Sequence, residues 1–60
     1  MMQLNIDINE DQAWALAQFV KRVGFVELKN NAENEEEAYM MRDAVIKLQD
    51  ALTREGYAPR

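Results

Sequence analysis

The side chains that could do chemistry are few in this chain, and most of them are carboxylates. The 60 residues include no His, Cys or Ser and a single Thr, Thr53, so an activated nucleophile with its base cannot be assembled from one chain. Glu33 with Glu36 or Glu37 could supply an acid and a base, but these residues lie at the outer face of a predicted helix start. We therefore expect that the protein is not an enzyme.

The same carboxylates could attract a hard cation, since Ca²⁺ and Mg²⁺ take several oxygen ligands from one loop. However, no metal-loop spacing with a central Gly surrounds Glu35, Glu36 and Glu37. Three negative charges in the first turn of a helix also complement the helix dipole and favour solubility. We expect no metal and no cofactor.

Apolar side chains at positions 2, 4, 6 and 8 alternate with polar ones, which predicts a half-buried strand over residues 2–8. A single strand must pair with another segment of this chain or with its copy in a second subunit. Helix 10–23 follows, with Asn9 and Gln12 as a capping box. Gly24 is expected to end that helix in the left-handed conformation.

A second helix is predicted over residues 35–55, beginning with the pair Asn34 and Glu37. Gly56 closes it, Tyr57 is placed to pack on Leu52, and residues 56–60 form a tail. Residues 25–33 of the connection 24–34 fit either a short helix or a strand, and their composition slightly favours the helix. The expected fold is a single mainly α domain over residues 1–60 with the order β-α-α.

Both helices carry more apolar surface than a two-helix chain can cover. The apolar arc of the first helix spans roughly 220°, about twice what a surface helix needs. The second helix has a heptad stripe longer than the first helix and a separate narrow stripe at Tyr39 and Ile46. Trp14 either closes the edge of the core or anchors a partner. We expect a homodimer, with a protein interface drawn from Trp14, Phe19, Tyr39, Arg42, Val45, Ile46, Leu48, Gln49 and Leu52.

Composition limits the partners. Seven basic and 11 acidic residues give a net charge of −4, which repels the phosphates of nucleic acids. The N-terminus has neither the basic nor the apolar region of a signal peptide, and no apolar run approaches the length of a membrane span. Because Cys is absent, a reducing cytoplasm is the expected compartment.

Two resemblances follow from particular stretches. Residues 15–25 (ALAQFVKRVGF), 37–44 (EAYMMRDA) and 56–60 (GYAPR) resemble small uncharacterised bacterial and prophage-encoded proteins, which implies a bacterial or phage setting but no activity. The predicted order of strand, helix and helix resembles a ribbon-helix-helix domain, in which Gln3, Asn5 and Asp7 would face DNA. Asp7 and residues 35–37 carry the wrong charge for that role.

The leading functional hypothesis is a non-enzymatic, homodimeric protein-interaction domain. The first alternative is a ribbon-helix-helix-like transcriptional repressor or antitoxin that binds DNA. The second is an acidic phage inhibitor that presents Glu35, Glu36 and Glu37 to a host enzyme that binds nucleic acid.

Overall fold

Three helices make up the regular structure of the chain. The structure, a computed structural model, describes residues 1–59, in which α1 spans Glu10–Arg22, α2 spans Phe25–Asn31 and α3 spans Glu35–Arg54. The long helix α3 packs against both α1 and α2. The mainly α class is confirmed. Arg60, the last residue of the predicted tail, lies outside the described residues.

The start of α1 is the predicted capping box. Asn9 Oδ1 accepts a hydrogen bond from the Gln12 N–H at 2.8 Å, and Gln12 Oε1 accepts one from the Asn9 N–H at 2.9 Å. The end of α1 differs from the prediction, because Val23 is extended and Gly24 has a φ of −101°. The left-handed stop predicted at Gly24 is therefore wrong. Gly24 is instead the N-cap of α2, a position that requires extended backbone.

The undecided connection contains a helix. Residues Phe25–Asn31 form α2, and the Asn31 side-chain amide donates to the Glu27 carbonyl at 2.8 Å. The Phe25 ring lies 5.0 Å from the Tyr39 ring, centroid to centroid, where α2 crosses the start of α3. Ala38 is completely buried in this region. The helical alternative for this segment is confirmed.

Helix α3 begins and ends beside the residues that predicted its two ends, Asn34 and Gly56. Asn34 Oδ1 accepts from the Glu37 N–H at 2.8 Å, whereas the Glu37 carboxylate reaches the Glu33 N–H at 3.0 Å. At the other end Gly56 has a φ of +96°, and the Tyr57 N–H donates to the Leu52 carbonyl at 2.8 Å. This is the hydrogen bond of a Schellman motif, and it places Tyr57 against the apolar cluster that contains Leu52.

The N-terminal strand prediction is wrong. Residues 1–59 contain no strand, and residues 1–8 form a segment without regular secondary structure, here called the arm. A strand needs a hydrogen-bonded neighbour, and the segment that could have supplied one within the chain folds into α2. The order β-α-α is thereby replaced by three helices, and the resemblance to ribbon-helix-helix domains loses its structural basis.

The interior is small and consists mainly of alanines. The buried apolar residues are Ala13, Ala17, Val20, Ala38 and Leu52. The alanines allow the helices to approach closely but bury little area each. The radius of gyration is 12.2 Å, whereas a compact chain of this length would have about 10 Å. The molecule is a thin plate of 33 × 28 × 15 Å.

Contacts between the helices are apolar throughout the described part of the chain. Every side-chain hydrogen bond there joins residues three or four positions apart, and none connects one helix to another. The one ion pair found in residues 1–59 links the neighbours Arg42 and Asp43 at 3.7 Å. Apolar burial alone therefore holds α3 against its two partners. Among residues 1–59 no helix combines the length and the hydropathy required to cross a bilayer.

Candidate protein-binding surfaces

Residues 4–8 of the arm line a groove between α1 and α3, here called the arm groove. Apart from the arm, its walls are formed by apolar side chains of α1 and α3 together with Tyr57, and its polar lining is limited to Asn5, Asp7 and Glu55. The apolar side chains of the arm stay largely in solvent, with Leu4 82% exposed and Ile6 65% exposed. The groove and the arm together form a continuous apolar surface.

One end of this surface is fixed by an aromatic pair. The Trp14 and Tyr57 rings meet edge to face, with centroids 5.1 Å apart and planes at 76°. The Schellman turn holds Tyr57 in place, while Trp14 remains 41% exposed. Trp14 therefore borders the core and also presents part of its ring to solvent, so that both roles considered from the sequence are compatible with its position.

A second surface lies on the outer side of α3. Tyr39 and Ile46 are exposed there, and the Arg42 guanidinium carbon lies 5.1 Å from the centroid of the Tyr39 ring. The Phe25 ring of α2 also contacts the Tyr39 ring. Gln49, also exposed, continues this face toward the end of the helix. Aromatic and Arg side chains are common where proteins bind one another, and here they alternate with charged neighbours.

A third surface is the groove between α1 and α2. Phe19 is its most prominent apolar residue, more than half exposed, and Val23 and Leu28 lie beside it. The remaining lining is mixed, because Gln18, Arg22, Glu27 and Asn31 all border the groove. Two of its lining residues, Arg22 and Glu27, are charged, and the arm groove also has two, Asp7 and Glu55.

The residues predicted for an interface are thus distributed over several places. Phe19 and the group around Tyr39 lie on different surfaces, and Leu48 lines the arm groove. Val45 is half-buried and Leu52 is buried, both within the apolar cluster that joins α1 and α3. The structure does not bring the predicted set together into one patch.

The heptad stripe of α3 is longer than α1, but α1 and α2 together cover more of it than α1 alone could. Helix α1 covers the part near Leu52, and α2 covers the part near Ala38, which α1 was not expected to reach. The excess apolar surface is found elsewhere, in particular on Leu4, Ile6 and Val26. Sequence reasoning did not include these three among the site residues. The alternation at positions 2–8, with no segment of the chain to pair with, was the signal that could have identified the arm.

One of the carboxylates that could do chemistry, that of Glu37, caps a helix start, and the others lie in solvent. Glu37 holds the Glu33 N–H, and Glu35 and Glu36 project into solvent in the first turn of α3. No group of His, Cys, Asp and Glu residues suited to a metal ion occurs among residues 1–59.

Comparison with known proteins gives a family. No curated protein and no solved structure matches the chain. A family model described as a family of unknown function, DUF7706, matches residues 1–60, the whole length of the sequence. The chain belongs to the family of unknown function DUF7706.

Proposed function

We propose that this protein is a non-enzymatic protein-interaction domain and that it binds first of all a second copy of itself. The observation that carries this proposal is the size of its surface. The chain exposes 5263 Å², whereas a folded monomer of 7.0 kDa is expected to expose about 4,000 Å². The excess, about 1,200 Å², is larger than the roughly 800 Å² that each partner contributes to a standard protein interface.

The character of the excess surface supports binding to protein. Apolar side chains of the arm, including Leu4 and Ile6, are among the most exposed large apolar residues. Exposed apolar patches on small proteins generally mark interfaces, because leaving them in water forgoes the main favourable free energy of folding and association. With so small a core, the chain would also gain stability from a partner.

Charge supports protein over nucleic acid as the partner. The net charge of −4 repels phosphates, and the start of α3 presents Glu35 and Glu36 to solvent. The same net charge also repels a second copy, but at physiological ionic strength this repulsion is screened over about 8 Å. The resemblance to small bacterial and prophage proteins supports a bacterial or phage setting for this binding role.

Sedimentation equilibrium over a range of about 1 to 100 µM tests the proposal, because dimer formation depends on concentration. We expect a mass that rises toward twice 7.0 kDa. Light scattering coupled to gel filtration at the highest concentration gives an independent mass. A single species of 7.0 kDa across the whole range would contradict the proposal.

A further inference from the structure

We infer that two copies pair through the groove between α1 and α2, so that the α1 wall of each copy meets the α2 wall of the other. This inference rests on the proposed homodimer and specifies which surface forms it. Within the described chain α1 and α2 both pack on α3 but not on one another, so the groove between them is open. Phe19 lies on the α1 wall, and its 59% exposed side chain gives a second copy a large apolar group to cover.

The two charged residues of this groove are opposite in sign and lie on different walls. Arg22 belongs to the last turn of α1, and Glu27 belongs to the first turn of α2. Among residues 1–59 neither of these side chains forms an ion pair or a side-chain hydrogen bond. Each charge therefore remains available to an opposite charge from outside the chain.

A two-fold axis along the groove would bring these charges together. Such an axis lays the α1 wall of one copy on the α2 wall of the other, so that each contact occurs twice. Arg22 and Glu27 both lie near the turn between the two helices. Gln18 and Asn31 lie one helical turn farther from it, each on its own wall. Arg22 would then face Glu27 of the partner subunit, and Gln18 would face Asn31 of the partner subunit. The groove is thus complementary to itself in charge and in hydrogen-bonding groups.

The other two surfaces lack this complementarity. In the arm groove the charged residues Asp7 and Glu55 are both negative, so a second copy of that groove brings no opposite charge to them. On the outer face of α3, Arg42 already lies 3.7 Å from Asp43 of the same chain. Charge therefore favours the groove between α1 and α2 as the surface that a second copy covers.

The test reverses one charge of the groove at a time and then mixes the two variants. Arg22→Glu and Glu27→Arg each place like charges opposite one another when two identical copies pair. In a mixture, one copy of each variant again brings opposite charges together at both contacts. Lys47→Glu and Glu36→Arg are the matched controls, because they change the net charge equally at exposed positions of α3, which does not line this groove.

All four positions are exposed, so none of these substitutions removes a buried contact, and far-UV circular dichroism checks that the helices remain. Phe19→Ala is a second test that leaves the charges unchanged. Its control is Ile46→Ala, on the outer face of α3.

Sedimentation equilibrium should show that each charge reversal in the groove raises the dissociation constant of the dimer by about tenfold or more, because like charges would meet at two places. Phe19→Ala should raise it by about tenfold as well. The control variants should change it by no more than about threefold, since charges outside the interface are screened. An equimolar mixture of Arg22→Glu and Glu27→Arg should associate about as tightly as the parent chain.

Several results would overturn this inference. If the parent chain dimerises but the groove variants associate equally well, or if their mixture stays dissociated, this groove is not the interface and the homodimer still stands. Equal weakening by the control variants would assign the effect to net charge and would have the same meaning. A parent chain that stays monomeric overturns the proposed function and this inference with it.

Discussion

The two glycines lie at helix ends of opposite kind, and the same substitution should affect them in opposite directions. Gly24 has a φ of −101° and is the N-cap of α2, where it offers no side chain to the free N–H groups. In Gly24→Ser the hydroxyl gains that role, and Glu27 lies three residues later, as in a capping box. Gly56 has a φ of +96°, a backbone conformation that residues with a side chain rarely adopt.

The size of each effect follows from the local geometry. A Cβ on Gly24 would lie 3.0 Å from Glu27 Oε2, the flexible end of a side chain that can move aside. Gly24→Ser should then stabilise the protein by about 1 kcal/mol, from lower entropy of the unfolded chain and the added cap. A Cβ on Gly56 meets nothing within 4 Å, so its cost is the backbone conformation alone. Gly56→Ser should therefore destabilise by about 1 kcal/mol after the same entropic gain is subtracted.

Thermal unfolding followed by circular dichroism measures both variants, at one protein concentration because association shifts the melting temperature. A difference of about 2 kcal/mol corresponds to roughly 16 °C between the two melting temperatures for a domain of this size. The parent chain should melt between them. Equal losses in both variants, or a lower melting temperature for Gly24→Ser than for Gly56→Ser, would refute the reasoning.

Three further predictions concern the interior and the caps. Leu52→Ala removes a buried side chain and should cost about 2–4 kcal/mol in urea unfolding, whereas Ile46→Ala, on the exposed outer face of α3, should cost about 1 kcal/mol or less. Asn9→Ala breaks the capping box of α1 and should lower the free energy of unfolding by about 1 kcal/mol; an unchanged value would show that the box contributes nothing. Tyr57→Leu removes the ring against Trp14, the single Trp, and should shift its fluorescence emission to longer wavelength; an unshifted spectrum would contradict the observed contact.

Much of the helical structure could be predicted because its signals are local. The pair Asn9 and Gln12 lies within one turn, and so does the hydrogen bond that the Glu37 N–H donates to the Asn34 side chain. At the end of α3, Gly56 adopts the left-handed conformation, and the Tyr that follows it packs against the cluster that contains Leu52. Each of these features depends on residues fewer than six positions apart, so the sequence displays them directly.

The arm and the candidate surfaces depended on contacts that are distant in sequence. Alternation at residues 2–8 is compatible with a strand, but a strand also requires a neighbour, and α2 formed where that neighbour could have been. Phe25–Asn31 spans only about two helical turns, too few for its apolar pattern to distinguish a helix from a strand, so both alternatives remained open. Which side of α3 stays exposed was then decided by where α2 packs, and periodicity does not contain that information.

Because no hydrogen bond or ion pair joins the helices of the described chain, the packing of these helices should depend on temperature and solvent as apolar burial does. The driving force for apolar burial weakens on cooling, whereas hydrogen bonds within each helix do not share that dependence. We therefore expect α1 and α2 to loosen from α3 near the freezing point while helical content persists. Sulfate, which is excluded from protein surfaces, should restore the packing. Moderate sodium chloride should have little effect, because no charge pair between helices occurs in residues 1–59 for it to screen.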